Sequence, residues 1–169
     1  MGVSEMSLSL GIDPGLSGAL ALLDDHGRIL ELIDMPTLVV TKTRRRIDAL
    51  AIVETVDLWA TLHGPAINAT IEQASIRPNQ GASSGFKTGS GFGILLGILT
   101  AMLVPYEIIS PQRWQKAVLG VVEKGTAKDR ARAHAQQLFP KADLGKRKSQ
   151  DRSDALCIAL YGWDRRGSR

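Results

Sequence analysis

Apolar and small or polar positions alternate along Leu8-Ser9-Leu10-Gly11-Ile12-Asp13 and stop at Pro14-Gly15, the pattern of a central β-strand. A second apolar run, Ala19 to Asp24, and a third, Arg28 to Met35, flank Asp25-His26-Gly27. That tripeptide is a hairpin signal, so the first three strands read as an antiparallel meander ended by Pro36. Thr41 to Arg46 is polar and basic and reads as an exposed loop. Asp48 can cap a helix with an apolar stripe of Leu50, Val53, Val56, Trp59 and Leu62, closed by Gly64-Pro65. A strand from Ala66 to Glu72 comes next, then a Gly/Ser/Asn-rich stretch, Ser75 to Gly91, that reads as a mobile polar loop.

A helix is predicted from about Ser90 to Leu103, and a short strand over Tyr106 to Ile109. Ser110-Pro111, a cap with proline at the first helical position, starts a helix containing Trp114 and Leu119. Thr126 to Phe139 forms another, stopped by Pro140, and a Lys/Arg-rich linker leads to a last helix from Asp151 to about Trp163. This order predicts an α/β protein: a mixed five-stranded sheet, antiparallel meander plus parallel strands, flanked by helices. The Asp13 strand is central, Glu72 ends its neighbour, and residues 1–169 make a single domain.

Composition changes this picture only in places. Apolar content of 44% and charged content of 22% are ordinary for a soluble protein. The longest apolar segment, Gly91 to Val104, is too short to span a bilayer and reads as a buried helix. The single Cys157 rules out an intramolecular disulfide framework and fits a reducing compartment, and no signal-peptide layout precedes the first strand. Charge is uneven: residues 1–75 carry a net −5 and residues 76–169 a net +9. A basic half beside an acid-bearing half suggests a polyanion partner, although a merely solvated basic face fits equally well.

The acids decide between these. Asp13 and Glu72 each end an apolar strand, and Asp151 and Asp154 stand three apart on one helix face. Converging carboxylates repel one another unless cations neutralise them, so the set reads as a hard-metal site. It suits two-metal phosphoryl transfer, with Asp13 bridging both ions, Glu72 on one and the Asp151/Asp154 pair on the other. Asp151 alone also fits a helix N-cap, with Asp154 in a capping box. That reading leaves two strand-end charges unexplained.

Gly11-Ile12-Asp13-Pro14-Gly15, Ile71-Glu72-Gln73 and Asp-x-x-Asp-Ala-Leu over Asp151 to Leu156 resemble, in order and spacing, the catalytic motifs of RuvC-type Holliday junction resolvases. These belong to the ribonuclease H-like superfamily, and the likeness is that of a compact, phage-type member. The resemblance implies a homodimeric crossover junction endodeoxyribonuclease using two Mg2+ ions per active site, with Mn2+ possible. It would nick two strands of a four-way DNA junction symmetrically, leaving 5′-phosphate and 3′-hydroxyl ends. Asp13, Glu72, Asp151 and Asp154 carry over as the catalytic and metal-binding acids. The setting implied is the cytoplasm of a bacterial cell or phage-infected host, with no membrane and no nucleotide cofactor. Bacterial members place an aromatic residue three positions after the motif glutamate; here that position is Ser75, and Phe86 is the candidate substitute.

Candidate DNA-binding residues are Arg77 and Lys87 after Glu72, Lys128, and Lys146, Arg147, Lys148 and Arg152 beside the Asp151/Asp154 pair. Arg44, Arg45 and Arg46 either grip a distant arm or form a solvated loop tip. Gly89, Gly93, Gly97 and Ala101, four apart, offer a helix face for self-association, with packing on the protein's own sheet as the alternative. His26, His63 and His134 lack metal-ligand spacing and read as surface histidines, and Trp59 and Trp163 as core or helix-packing residues. Gly-Ile-Asp-Pro-Gly also begins sugar kinases and actin-like ATPases, but those require a second domain and no Walker-type loop is present. Two further readings stay open: a broader nuclease for forks and flaps, and a non-cleaving junction-binding protein.

Overall fold

The computed structural model describes residues 7–75, 81–121, 126–144 and 149–167. Along the chain these form β1 (Leu8–Asp13), β2 (Ala19–Leu23), β3 (Ile29–Asp34), β4 (Thr37–Thr41), β5 (Arg44–Ile47), α1 (Ala49–His63) and β6 (Ile67–Glu72). Then come α2 (Ala82–Ala101), β7 (Tyr106–Ile109), α3 (Pro111–Leu119), α4 (Ala127–Leu138) and α5 (Ser149–Gly167). A five-stranded sheet runs β3-β2-β1-β6-β7. Its β1–β2 and β2–β3 pairs are antiparallel and its β1–β6 and β6–β7 pairs parallel, as the strand pattern predicts.

The two-residue period of the strands sorts the layers. Leu8, Leu10 and Ile12 of β1, Leu20 and Leu22 of β2, and Ile67, Ala69 and Ile71 of β6 share one core with Ile52, Val56 and Trp59 of α1 and Leu95, Ile98 and Leu99 of α2. The opposite face belongs to α5. There Ala19, Ala21 and Leu23 meet Ala155, Leu156 and Ala159. On β1 that face presents Ser9 and Gly11: the Ser9 hydroxyl donates to the Ala159 carbonyl at 2.7 Å, and a Cβ at Gly11 would lie 2.2 Å from the Ala155 oxygen. At Gly162 a Cβ would lie 2.4 Å from Thr70 Oγ1 of β6. Asp13 continues the Ser9–Gly11 parity and Glu72 the Thr70 parity, so both carboxylates emerge on the face that α5 covers.

Several expectations change. Thr41 to Arg46 is not a loop but the turn and second strand of the β4–β5 hairpin, because Val39 and Thr41 pair with Arg45 and Arg44. Helix α2 begins at Ala82, so Phe86 and Lys87 are helical rather than on a loop; glycines and serines did not break a helix whose later turns are anchored in the core. The stripe of α1 is rotated: Leu50 and Leu62 are exposed while Ile52, Val56 and Trp59 are buried, although Asp48 does cap it, accepting from the Ala51 amide at 3.1 Å. Helix α5 begins at Ser149, which puts Asp151 inside the first turn rather than at a cap. His63 is half-buried and meets Glu31 at 2.9 Å rather than standing free on the surface. Trp59 is core as read, and Trp163 lies at its layer's edge with its indole donating to the Asp25 carbonyl.

Gly11→Ala is expected to cost at least about 2 kcal/mol of unfolding free energy by forcing α5 off β1. Gly97→Ala, in helix interior with open space around it, should gain about 0.5–1 kcal/mol. Urea titrations of both variants check the contrast.

A carboxylate cluster at the carboxyl ends of β1 and β6

Ile12 lies beside Ile71 in the parallel register, so the next residues, Asp13 and Glu72, leave the sheet side by side. The first turns of α5 cross above them and supply Asp151 and Asp154. Single oxygens of Asp13, Asp151 and Asp154 all lie within 4.8 Å of one another, the only such cation-type cluster among the described residues. Glu72 stands at its edge. Its Oε2 accepts from the indole Nε1 of Trp114 at 2.6 Å, and Trp114 is itself fully buried.

Electrostatics mark the strain of this arrangement. Burial, then the charges of Asp154, Glu72 and Asp151, push the Asp13 carboxyl up to about 8. Burial and the Glu72 charge push Asp154 up to about 7, against the pull of the Gln150 amide at 3.3 Å. Burial also raises Glu72, against the Trp114 N–H and Lys128, and raises Asp151, against Lys128 and the Ser17 hydroxyl. Lys128, exposed in the first turn of α4, thus opposes the rise at all four acids. Like charges at this spacing ionise together only with a cation among them, and hard divalent ions take carboxylate oxygens. The donor set therefore fits divalent metal.

The predicted DNA contacts divide. Lys87 and Lys128 are exposed. Arg152 is engaged inside the protein, with Nε 2.6 Å from Asp34 and Nη1 3.4 Å from Asp143, so it neutralises Asp34 next to Asp151 instead of standing free. Arg77, Lys146, Arg147 and Lys148 lie outside the described residues. Three contributors were missed: Trp114, Gln150 and Ser17. Only an N–H-bearing or hydroxyl side chain close to a motif in sequence could have signalled them, which holds for Gln150 and Ser17 but not for Trp114. A cleft of about 330 Å3 lies between Leu16 and Val40, Arg44 and Arg45 of the hairpin, with Phe86 and Lys87 of α2 on its other side. Phe86 is 77% exposed rather than packed back on its domain.

Carboxylates gathered at the ends of parallel strands, on this mixed sheet and under this helix, define a metal-dependent nuclease of ribonuclease H-like architecture. The model of the family Crossover junction endodeoxyribonuclease RuvC matches residues 9–161, and the chain belongs to that family of DNA hydrolases, which resolve Holliday junctions. Two solved structures are similar. "T. thermophilus RuvC in complex with Holliday junction substrate" has TM-score 0.58 and 16% identity over 96% of this chain and 97% of that one. "Thermus thermophilus RuvC structure" has TM-score 0.58 and 21% identity over 95% and 96%. At such identity the likeness is one of fold. Comparison with curated proteins gives no match.

Two outcomes are expected. Because Asp13 and Asp154 titrate higher in the folded than in the unfolded chain, their contribution without metal is full below about pH 4 and lost as pH rises toward 8. Melting of EDTA-treated protein should therefore fall across that window, and Asp13→Asn, a neutral isostere, should raise it at pH 8 by at least about 2 °C, the shift that roughly 1 kcal/mol gives in a chain this size. Second, Trp114→Phe keeps the ring and removes the donor to Glu72. It should raise the metal concentration needed for cutting by about tenfold or more, as losing a partner that orients a metal-holding side chain does, measured as activity against Mg2+ concentration.

Proposed function

We propose that this chain cuts four-way DNA junctions with Asp13, Glu72, Asp151 and Asp154 as its catalytic, metal-holding acids. The observation that carries this is the approach of three of those carboxylates within 4.8 Å, with the fourth at the edge and raised like the rest. Bound Mg2+, or Mn2+ in its place, supplies Lewis-acid chemistry for phosphodiester hydrolysis, and the four acids are enough to hold two ions. The Trp114 N–H fixes Glu72, and Gln150 fixes Asp154 while its amide also donates to the Lys128 carbonyl at 2.8 Å. These bonds hold the carboxylates in place before substrate arrives. Lys128, exposed and felt by all four acids, draws a phosphate toward them. Water adds at phosphorus and the 3′-oxygen leaves, giving 5′-phosphate and 3′-hydroxyl ends.

The DNA meets the acidic centre along its basic surroundings: Lys87, Lys128 and the hairpin arginines; Arg77, Lys146, Arg147 and Lys148, near Glu72 and Asp151 in sequence, are further DNA contacts in this reading. Phe86 stands in for the aromatic residue that Ser75 lacks. Two opposed nicks require two centres, hence a homodimer. The exposed Gly89, Gly93, Gly97 and Ala101 of α2 support self-association, since their side faces away from the core formed by Leu95, Ile98 and Leu99. The setting is cytoplasmic. Ser75 favours a second reading, a broader nuclease for forks and flaps.

Labelled four-way, forked and linear DNA should separate these readings. Paired nicking of the junction with Mg2+, none with EDTA and little on linear duplex is the expected result, and equal cutting of forks would select the broader nuclease. Asp13→Asn should lose cutting by at least about 10³-fold while keeping junction binding, and Gly93→Leu should shift the protein toward monomer and uncouple the two nicks. Metal-independent cutting, or binding without any cutting, would remove the proposal.

A further inference from the structure

At the other end of α5, away from the acids, lies a pocket of about 380 Å3, within the size range of small-molecule sites. Thr70 and Tyr106 form part of its walls, and Arg165 and Arg166 supply its basic side. Asp154 and Arg166 are twelve residues apart in one continuous helix, about 18 Å along its axis, so this is no extension of the carboxylate cluster.

Arg166 is the unusual group. Its Nη2 is buried and meets no hydrogen-bond partner. Burial also holds its pKa below the ordinary arginine range, the mark of a guanidinium stripped of water without a counter-charge in return. Arg165 lies 5.4 Å from the Tyr161 ring centroid and pairs with no carboxylate among the described residues. The acid that lines the pocket, Glu107, is taken by Arg113 at 3.2 Å. Both arginines complement the carbonyl end of α5. That role needs charge near the last turn, and it gives no reason to bury an Nη2 without an acceptor.

We infer that this pocket binds phosphate: Arg165 and Arg166 take up a tetrahedral oxyanion, either free or as a phosphomonoester. Two neighbouring guanidinium forks provide the several donors and the double charge that a dianion requires, where one carboxylate would leave donors over. The ligand meets the guanidinium edges of Arg165 and Arg166 that line the pocket, and its charge offsets that of the half-buried Arg166.

The test is thermal melting in EDTA, which silences the metal centre, with inorganic phosphate titrated against sodium chloride of equal ionic strength. Wild-type protein should show a saturable rise with phosphate alone. Arg166→Gln should lose at least about tenfold in apparent phosphate affinity, a difference of about 1.4 kcal/mol. Its ligand-free form should melt at or above wild type, because a desolvated charge has gone. An arginine with only a structural role would do the reverse: lower the ligand-free melting point and leave the phosphate response unchanged. Arg165→Gln, at an exposed position that the fold does not depend on, should weaken phosphate binding too. Parallel titrations with a short 5′-phosphorylated oligonucleotide and its unphosphorylated twin separate the sources. An Arg166-dependent rise with the phosphorylated strand alone assigns a DNA end, a rise with free phosphate a small molecule, and both support the inference. No saturable rise in the wild type, or equal affinity in both variants, would overturn it.

Discussion

The fit of α5 against β1 and β6 is the constraint on which the rest depends. Helix backbone reaches strand backbone there only because Gly11 and Gly162 have no side chain to keep them apart, and because Ser9 gives its hydroxyl to a helix carbonyl. That closeness fixes the height and rotation of α5 over the sheet. Asp151 and Asp154 then have nowhere to be except above Asp13. A looser contact would still bury the apolar residues of this layer, Leu23 and Leu156 among them, yet would let the carboxylates drift apart. The core supplies stability; the small residues supply position.

Position is costly in charge. Burial raises all four acids, the charges of their neighbours raise Asp13 and Asp154 further, and the protein answers with modest counterweights: an indole N–H, an amide, a hydroxyl and one exposed lysine. Each is a dipole or a solvated charge, too weak to cancel the repulsion. Arg152 stands nearest in sequence but is occupied by Asp34 and Asp143. The corner is thus left short of positive charge, a deficit that a divalent ion fills and an arginine would have closed off. Seen this way, the pairing of Arg152 away from the centre keeps the site open.

Much of this was legible in the sequence, for identifiable reasons. The strands were readable because buried runs such as Leu8–Asp13 and Ile67–Glu72 carry a two-residue period that survives any context. The acids were readable because a charge ending an apolar strand demands an explanation. The β4–β5 hairpin escaped, since Arg44, Arg45 and Arg46 lie in an exposed two-stranded ribbon where no apolar period is required. The start of α2 escaped because Ser83, Ser84, Gly85 and Gly89 are poor helix formers locally, and tertiary anchoring decides instead. Trp114 escaped most completely: from sequence it is one more apolar residue on a helix, and only folding brings its N–H to Glu72 from 42 positions away.

The glycines of α2 have one more consequence. Five of its twenty residues are glycine, each about 1 kcal/mol poorer than alanine in a helix interior, and its amino-terminal cap makes no side-chain bond. The carboxyl-terminal half is held by Leu95, Ile98 and Leu99, whereas of the first turns only Gly85 is buried. Order along this helix must therefore be graded: amides near Leu99 exchange with solvent only when the whole domain opens, while those near Phe86 open by local fraying. The turns carrying Phe86 and Lys87 are thus the cheapest part of the helix to reshape.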